Sequence, residues 1–150
     1  MYELVANSVT AALGKELEKI FPDVPWYRET SPTQLCEYPH WFVHQLTINT
    51  ASERRNYFMV NYLINMRYHI AADPSKVTGN LQEQLDDAGI KILSELEYIY
   101  FDGMPVRVVE QRTEKVDGVL HWFGNISIMT HKPKAPEPVQ ETLETDITKE

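Results

Sequence analysis

Apolar residues at three- and four-residue spacing open the chain. Val5, Val9, Leu13, Leu17 and Ile20 fall on one face of a helix over residues 3–21, which Pro22 ends. Pro25, Pro32 and Pro39 then interrupt any long element, although Trp26-Tyr27-Arg28 suits a short edge strand. From Trp41 to Asn49 the period drops to two. Phe42, Leu46 and Ile48 share one side, interrupted by His44, and Gln45, Thr47 and Asn49 share the other, the pattern of a half-buried strand. Asn49 to Asn56 is polar throughout and reads as a loop. The cleanest alternation follows: Phe58, Val60, Tyr62, Ile64, Met66, Tyr68 and Ile70 on one side, Asn61, Asn65, Arg67 and His69 on the other. At ~3.3 Å per residue this strand spans roughly 45 Å, long for a compact domain, and implies a strand that projects beyond its own core.

Pro74 to Gly79 predicts a turn, with Thr78 or Asn80 placed to cap the next helix. Leu81, Leu85, Ala88, Ile92, Leu96 and Ile99 line that helix, and Asp102-Gly103 closes it. Gly89 weakens it by about 1 kcal/mol relative to alanine. Two more strands are predicted over Val106–Thr113 and Val119–Thr130, joined by a hairpin whose turn signal is Asp117-Gly118. Leu120, Trp122, Ile126 and Ile128 alternate with His121, Asn125 and Ser127, and Gly124 marks a bulge. Leu120, Trp122 and Ile126 are expected to pack under the second helix against Leu85, Ile92 and Leu96.

This order predicts an α+β fold, an antiparallel or mixed β-sheet of about four to five strands with two helices packed on one face. Residues 1–131 form the domain. Residues 132–150 hold three of the nine prolines, five acidic residues, three lysines and no aromatic, and read as a flexible acidic tail. A chain of 150 residues suits one domain. Its 43% of hydrophobic residues lies a little below the globular norm, as such a tail would make it.

Charge and cysteine content narrow the function. Lys and Arg number 14 against 22 Asp and Glu, a net charge of -8, which opposes general binding to nucleic acid or to an anionic membrane. Cys36 is the single cysteine, so no intrachain disulfide can form, as suits a reducing compartment. The start, Met1-Tyr2-Glu3-Leu4, lacks a basic and apolar leader, and no apolar stretch is long enough to span a bilayer. The expectation is a soluble chain made in cytosol-like conditions.

Candidate chemistry is sparse. His40, His44, His69, His121 and His131 are scattered. A metal site from His44, His69 and His121 on adjacent strands is weighed against partly exposed strand histidines, and the second reading is favoured because a site needs several ligands of defined geometry. Cys36 precedes Glu37, whose charge would raise rather than lower a thiol pKa. Glycine-rich phosphate loops and nucleophile elbows are absent from the sequence. Glu95 and Glu97 point to different sides of the predicted helix. Arg54-Arg55 reads as a solvated loop tip before an anion clamp, and Trp41, Trp122, Tyr62 and Tyr68 read as core before a ligand box. No catalytic residue, cofactor or metal is therefore predicted, and the chain is expected not to be an enzyme.

Two segments carry a resemblance. One is Pro39-His40-Trp41-Phe42-Val43, followed by Glu53-Arg54-Arg55-Asn56-Tyr57 and the long strand to Tyr68; the other is Val116-Asp117-Gly118-Val119-Leu120-His121-Trp122. With the first helix they resemble the tail terminator (tail completion) proteins of tailed bacteriophages, especially those of Gram-positive hosts, over roughly residues 3–131. That family often carries Phe-Asp-Ile-x-Tyr late in the long strand. Here Ile64-Asn65-Met66-Arg67-Tyr68 stands there, with Asn for Asp.

The resemblance implies a structural virion protein of the tail or neck, assembled in the host cytoplasm. Its copies form a hexameric ring that caps the tail tube, terminates tube polymerisation and offers the docking surface for the head or neck. The implied partners are further copies of the chain, the tail tube protein, a head–tail connector or neck protein, and a sheath protein where the tail contracts. No membrane is involved. Genome DNA passes through without specific binding, past an acidic channel wall that repels it.

The expected subunit or tube interface comprises Arg54, Arg55, Tyr57, Asn61, Asn65 and Arg67. Val139, Leu143 and Ile147, four apart in the tail, would line one helical stripe for docking. The alternatives are another neck component, such as a head–tail joining protein, or a small ligand-binding or enzymatic domain. The last would need a pocket between the second helix and Tyr62, Met66 and Tyr68.

Overall fold

A computed structural model describes residues 2–28, 36–53, 57–77, 79–101 and 103–131. The first helix, α1 (Tyr2–Ile20), buries Val9, Ala12, Leu13, Leu17 and Ile20 along the expected stripe. Strand β1 (Trp26–Arg28) lies parallel to β2 (His40–Glu53) through Trp26↔Trp41 and Arg28↔Val43. The Trp26 indole lies where Gly14 leaves α1 without a side chain, and a Cβ there would overlap the ring.

Strand β2 corrects two expectations. First, Asn49–Glu53 is strand rather than loop, paired to β3 (Tyr57–His69) from Asn49↔Asn61 to Glu53↔Phe58. Polar residues satisfy a backbone ladder as well as apolar ones, so polarity alone did not mark a loop there. Residues 54–56 lie outside the described residues. Second, the register slips between Gln45 and Thr47 and again between Thr50 and Ser52. An inserted residue reverses the alternation. Trp41 and Val43, not Phe42, therefore face the core ahead of the first slip, and Ile48 comes level with the buried Tyr62 after it.

Strand β3 pairs without a slip to β7 (Val119–His131), from Tyr57↔His131 to His69↔Val119. Its even positions Val60, Tyr62, Ile64 and Met66 are buried, as their alternation predicts. Asn80 caps α2 (Leu81–Glu95), its side-chain oxygen accepting from Glu83 N at 3.1 Å. Thr78, the other capping candidate, lies outside the described residues.

The helix stops at Glu95, short of the expected end. Tyr98–Phe101 forms β4 and Met104–Arg107 forms β5, a hairpin closed by Phe101↔Met104 with Gly103 at φ 82°. Tyr98-Ile99-Tyr100-Phe101 is an aromatic and β-branched run that suits a strand. Leu96 and Ile99 are buried all the same, so their apolar spacing was real and its cause was not one helix. The strand expected over Val106–Thr113 breaks at buried Val108, whose N–H donates to Glu97 O at 2.9 Å.

Strand β6 (Val109–Val116) then turns into β7 through Asp117 and Gly118 at φ 50° and 76°, the left-handed pair that Asp-Gly favours. The expected bulge at Gly124 is not there: β7 runs in register past it, and the slip lies in β6 between Val109 and Arg112. Gly124 instead makes room for Trp122, whose ring a Cβ would overlap.

The result is α+β. A mixed five-stranded sheet, ordered β1-β2-β3-β7-β6, carries both helices on one face, and the β4–β5 hairpin forms a separate two-stranded sheet. The core between the layers holds Trp41, Tyr62, Met66 and Trp122 with Leu13, Leu17, Leu85, Ile92 and Leu96. Leu120, Trp122 and Ile126 belong to it, with Leu85, Ile92 and Leu96 as expected. Trp122 Nε1 donates to Gln111 Oε1 at 3.0 Å, and Gln111 Nε2 donates to Leu96 O at 2.6 Å, so a polar relay ties strand, core and helix end. Ile48 remains 45% exposed on the helix side, so the helical layer does not reach that part of β2.

Candidate functional site

With both helices on one side, the sheet presents a second face on which no helix lies among the described residues. The strand register sets its side chains in rows. His40, His69, Val119 and Val116 form one; Phe42, Arg67, His121 and Glu114 the next; His44, Asn65, Phe123 and Arg112 the third. Further along stand Thr47, Leu63, Asn125 and Val109, then Asn49, Asn61 and Ser127.

Polar groups on this face hold one another in place. Asn61 Nδ2 donates to Asn49 Oδ1 at 3.2 Å and Ser127 Oγ donates to Asn61 Oδ1 at 2.5 Å, a ladder across three strands. Arg67 Nε donates to Asn65 Oδ1 at 3.0 Å, and Asn65 Nδ2 donates to Trp122 O at 3.2 Å. The Arg112 guanidinium lies 4.1 Å from the Phe123 ring centroid, a cation–π contact, and 3.6 Å from Glu114. Asn125 Nδ2 donates to Glu110 Oε2 at 2.6 Å. The acids crowd the other side of the molecule, where Glu16, Glu18, Glu83, Asp86, Asp87 and Glu95 lie on the helices. The helix-free face sets Arg67 and Arg112 against Glu110 and Glu114, close to charge balance.

One end of the face is a histidine stack. The His40 and His69 rings stand 5.0 Å apart, and His40 Nδ1 bonds Glu37 O at 2.8 Å. His40 is 1% exposed and its Nε2 has no partner among the described residues. Burial, and then the charges of His40, Arg67 and His121, push the His69 pKa down to about 4. Burial also lowers His40 and, with Arg67, His121, which Glu114 partly offsets.

These shifts set a sign for acid stability. Between about 4 and 6.5 the unfolded chain holds a proton at position 69 that the folded chain does not. Stability is thus full above 6.5 and falls as pH drops towards 4. Urea denaturation of wild type and His69→Gln at pH 7 and pH 4.5 checks this. The variant is expected to lose markedly less stability on acidification, and an equal loss in both chains assigns the slope to other groups.

Of the expected interface residues, Asn61, Asn65 and Arg67 come together at the middle of this face. Asn65 is 3% exposed, so its role is to orient Arg67 rather than to offer surface. Tyr57 begins β3 opposite His131. Arg54, Arg55, Val139, Leu143 and Ile147 lie outside the described residues. Phe42, Leu63, Phe123 and Arg112 stand on the same face and were not among the expected residues. The signal for Leu63 and Phe123 was an apolar residue at a polar phase of a strand, and Phe42 was masked by the slip in β2.

The two chemical alternatives do not assemble. His44 stands opposite Asn65 and His69 opposite His40, so His44, His69 and His121 occupy three different rows. Among the described residues no three His, Cys, Asp or Glu side chains are placed to hold a metal ion. Tyr62 and Met66 are core residues, 1% and 0% exposed, so they line no open pocket with α2. A cleft of about 260 Å³ does lie beside α2, but against β6, lined by Leu85, Gly89, Ile90, Leu93, Thr113 and Leu120 among others.

Over residues 8–138 the sequence matches the family model described as phage tail terminator protein. No curated protein matches the chain.

Proposed function

The chain belongs to the phage tail terminator family, and from that premise we propose that its copies form a hexameric ring that caps the finished tail tube. The ring stops tube polymerisation and gives the head or neck its docking surface, in the tail of the virion. The observation that carries this reading is the family match over residues 8–138. The wide helix-free face supports it, since a preorganised row of Asn49, Asn61 and Ser127 beside Phe42, Leu63 and Phe123 suits contact with other protein.

In this reading Arg54, Arg55 and Tyr57, with Asn61 and Arg67, meet a neighbouring copy or the tube, and Asn65 holds Arg67 for that contact. Residues 132–150 form a tail apart from the 1–131 domain, and Val139, Leu143 and Ile147 seat on a neck or sheath partner. The work is structural and uses no catalysis and no cofactor. Genome DNA passes without specific binding. Among the described residues no helix is long and apolar enough to cross a membrane, and none is needed.

Adding the purified chain to its polymerising tail tube protein tests the proposal. Tubes are expected to stop growing and to carry a ring at one end in electron micrographs. Tube lengths that do not respond to a molar excess of the chain would overturn it.

A further inference from the structure

Two surfaces on opposite sides of the molecule carry apolar residues in the open. On the helix side, α2 buries Leu85, Ala88 and Ile92 but turns Ile90 and Leu93 outward, 67% and 41% exposed. Asp86, Ile90 and Leu93 stand four and three residues apart, along one stripe of the helix. A helix on a free surface normally carries polar residues there. The cleft of about 260 Å³ between α2 and β6 adjoins the same two residues. The helix is also acidic, with Glu83, Asp86, Asp87 and Glu95 against Lys91 alone. Asp86 is paired to Lys115 at 2.6 Å, while Asp87 and Glu95 have no ion pair among the described residues.

On the helix-free side the centre of the sheet is apolar. Phe42, Leu63 and Phe123 stand there on three neighbouring strands, and Val109 and Met129 beyond them are 40% and 51% exposed. Arg67 stands in the row of Phe42, its Nε fixed on Asn65, and makes no ion pair among the described residues. A guanidinium held in this way keeps its terminal N–H groups for an acceptor on another molecule, in the fork geometry that suits a carboxylate.

We infer that neighbouring copies stack front to back: the outer stripe of α2 on one copy, Ile90 and Leu93 with the acids beside them, covers the helix-free sheet face of the next around Leu63 and Arg67. The occupant of each surface is thus a second copy of this chain. Charge complementarity selects the pairing. Two α2 faces together would set acids against acids. Two sheet faces together would leave the apolar stripe and the cleft of each copy in water. Front to back, the apolar centres meet and a carboxylate of α2 reaches Arg67. The contact joins two different surfaces, so it is head-to-tail and propagates until the rotation closes a ring. The inference rests on the ring reading above and adds which surface of one copy meets which surface of the next.

Cross-linking between copies tests it. Ile90→Cys and Leu63→Cys are made singly and together in a Cys36→Ser background. Thr47→Cys, exposed and paired opposite Leu63, serves as a second version of the sheet-face site. Within one copy the sheet and the core stand between the two sites, so a short bismaleimide joins them only between copies. Either double variant is expected to give a ladder of covalent oligomers on a denaturing gel. A mixture of the two single variants is expected to give a dimer and nothing larger, and each single variant alone only monomer. Dimers from Ile90→Cys alone, or from a sheet-face variant alone, would show like faces meeting and overturn the inference. Rings intact by native mass spectrometry with no ladder from either double variant would overturn the stacking and leave the ring. Arg67→Glu gives a readout without cysteines: the concentration at which half the chains are in rings is expected to rise by about tenfold or more. Assembly unchanged in that variant would also overturn the stacking. A wild-type chain that stays monomeric both alone and on tubes would remove the ring and the inference with it.

Discussion

Replacing Trp122 by alanine is expected to lower the stability of the fold by about 3–5 kcal/mol. The residue is 0% exposed near the start of β7, in the core it shares with Leu85, Ile92 and Met66. Truncation removes the indole from water-free surroundings and leaves a void that a sheet fixed on both sides by β3 and β6 cannot close. It also strips Gln111 Oε1 of its donor at 3.0 Å, while the same amide remains committed to Leu96 O. A half-buried acceptor left unpaired adds to the loss. Total stability of a domain this size is of order 5–15 kcal/mol, so the variant stands near the edge of folding. Urea denaturation measures it as a fall in the midpoint at constant slope. A loss below about 1 kcal/mol would mean that the strand and α2 close over the vacated site.

The buried alternation of β3 and β7 was legible in the sequence because both strands run without a slip from Tyr57↔His131 to His69↔Val119. Period two is then the whole signal. Strand β2 shows where that signal fails. Two inserted residues each reverse its phase, so each of the three stretches alternates correctly and the strand as a whole does not. The end of α2 fails differently. Leu96 and Ile99 continue the helical spacing of Leu85 and Ile92, yet Ile99 reaches the core from a hairpin. Apolar spacing reports burial, not the element that achieves it.

The helix-free face was half legible for a related reason. Asn61, Asn65 and Arg67 announced a polar face by their shared phase. The partners that fix them, Asn49, Ser127 and Trp122 O, are set by register between strands far apart in sequence. The order of the strands was not legible at all, since it is a property of the folded sheet.

Replacing Gly124 by alanine separates packing from backbone preference. In an open strand alanine is better than glycine by roughly 0.5–1 kcal/mol, because glycine has more freedom to lose on folding. Here the added methyl would overlap the Trp122 ring, two residues back on the same face. That ring has no room to retreat, being 0% exposed and tied to Gln111. Overpacking a closed core costs about 1–3 kcal/mol, which outweighs the backbone gain, so Gly124→Ala is expected to destabilise. The sign depends on Trp122 alone. With Trp122→Leu already in place the methyl meets open space, and Gly124→Ala is expected to be neutral or stabilising there. Denaturation of the two single variants and the double variant gives a coupling energy within the range of roughly 0.5–3 kcal/mol that contacting residues show. If the effects simply add, Gly124 is glycine for some reason other than the indole beside it.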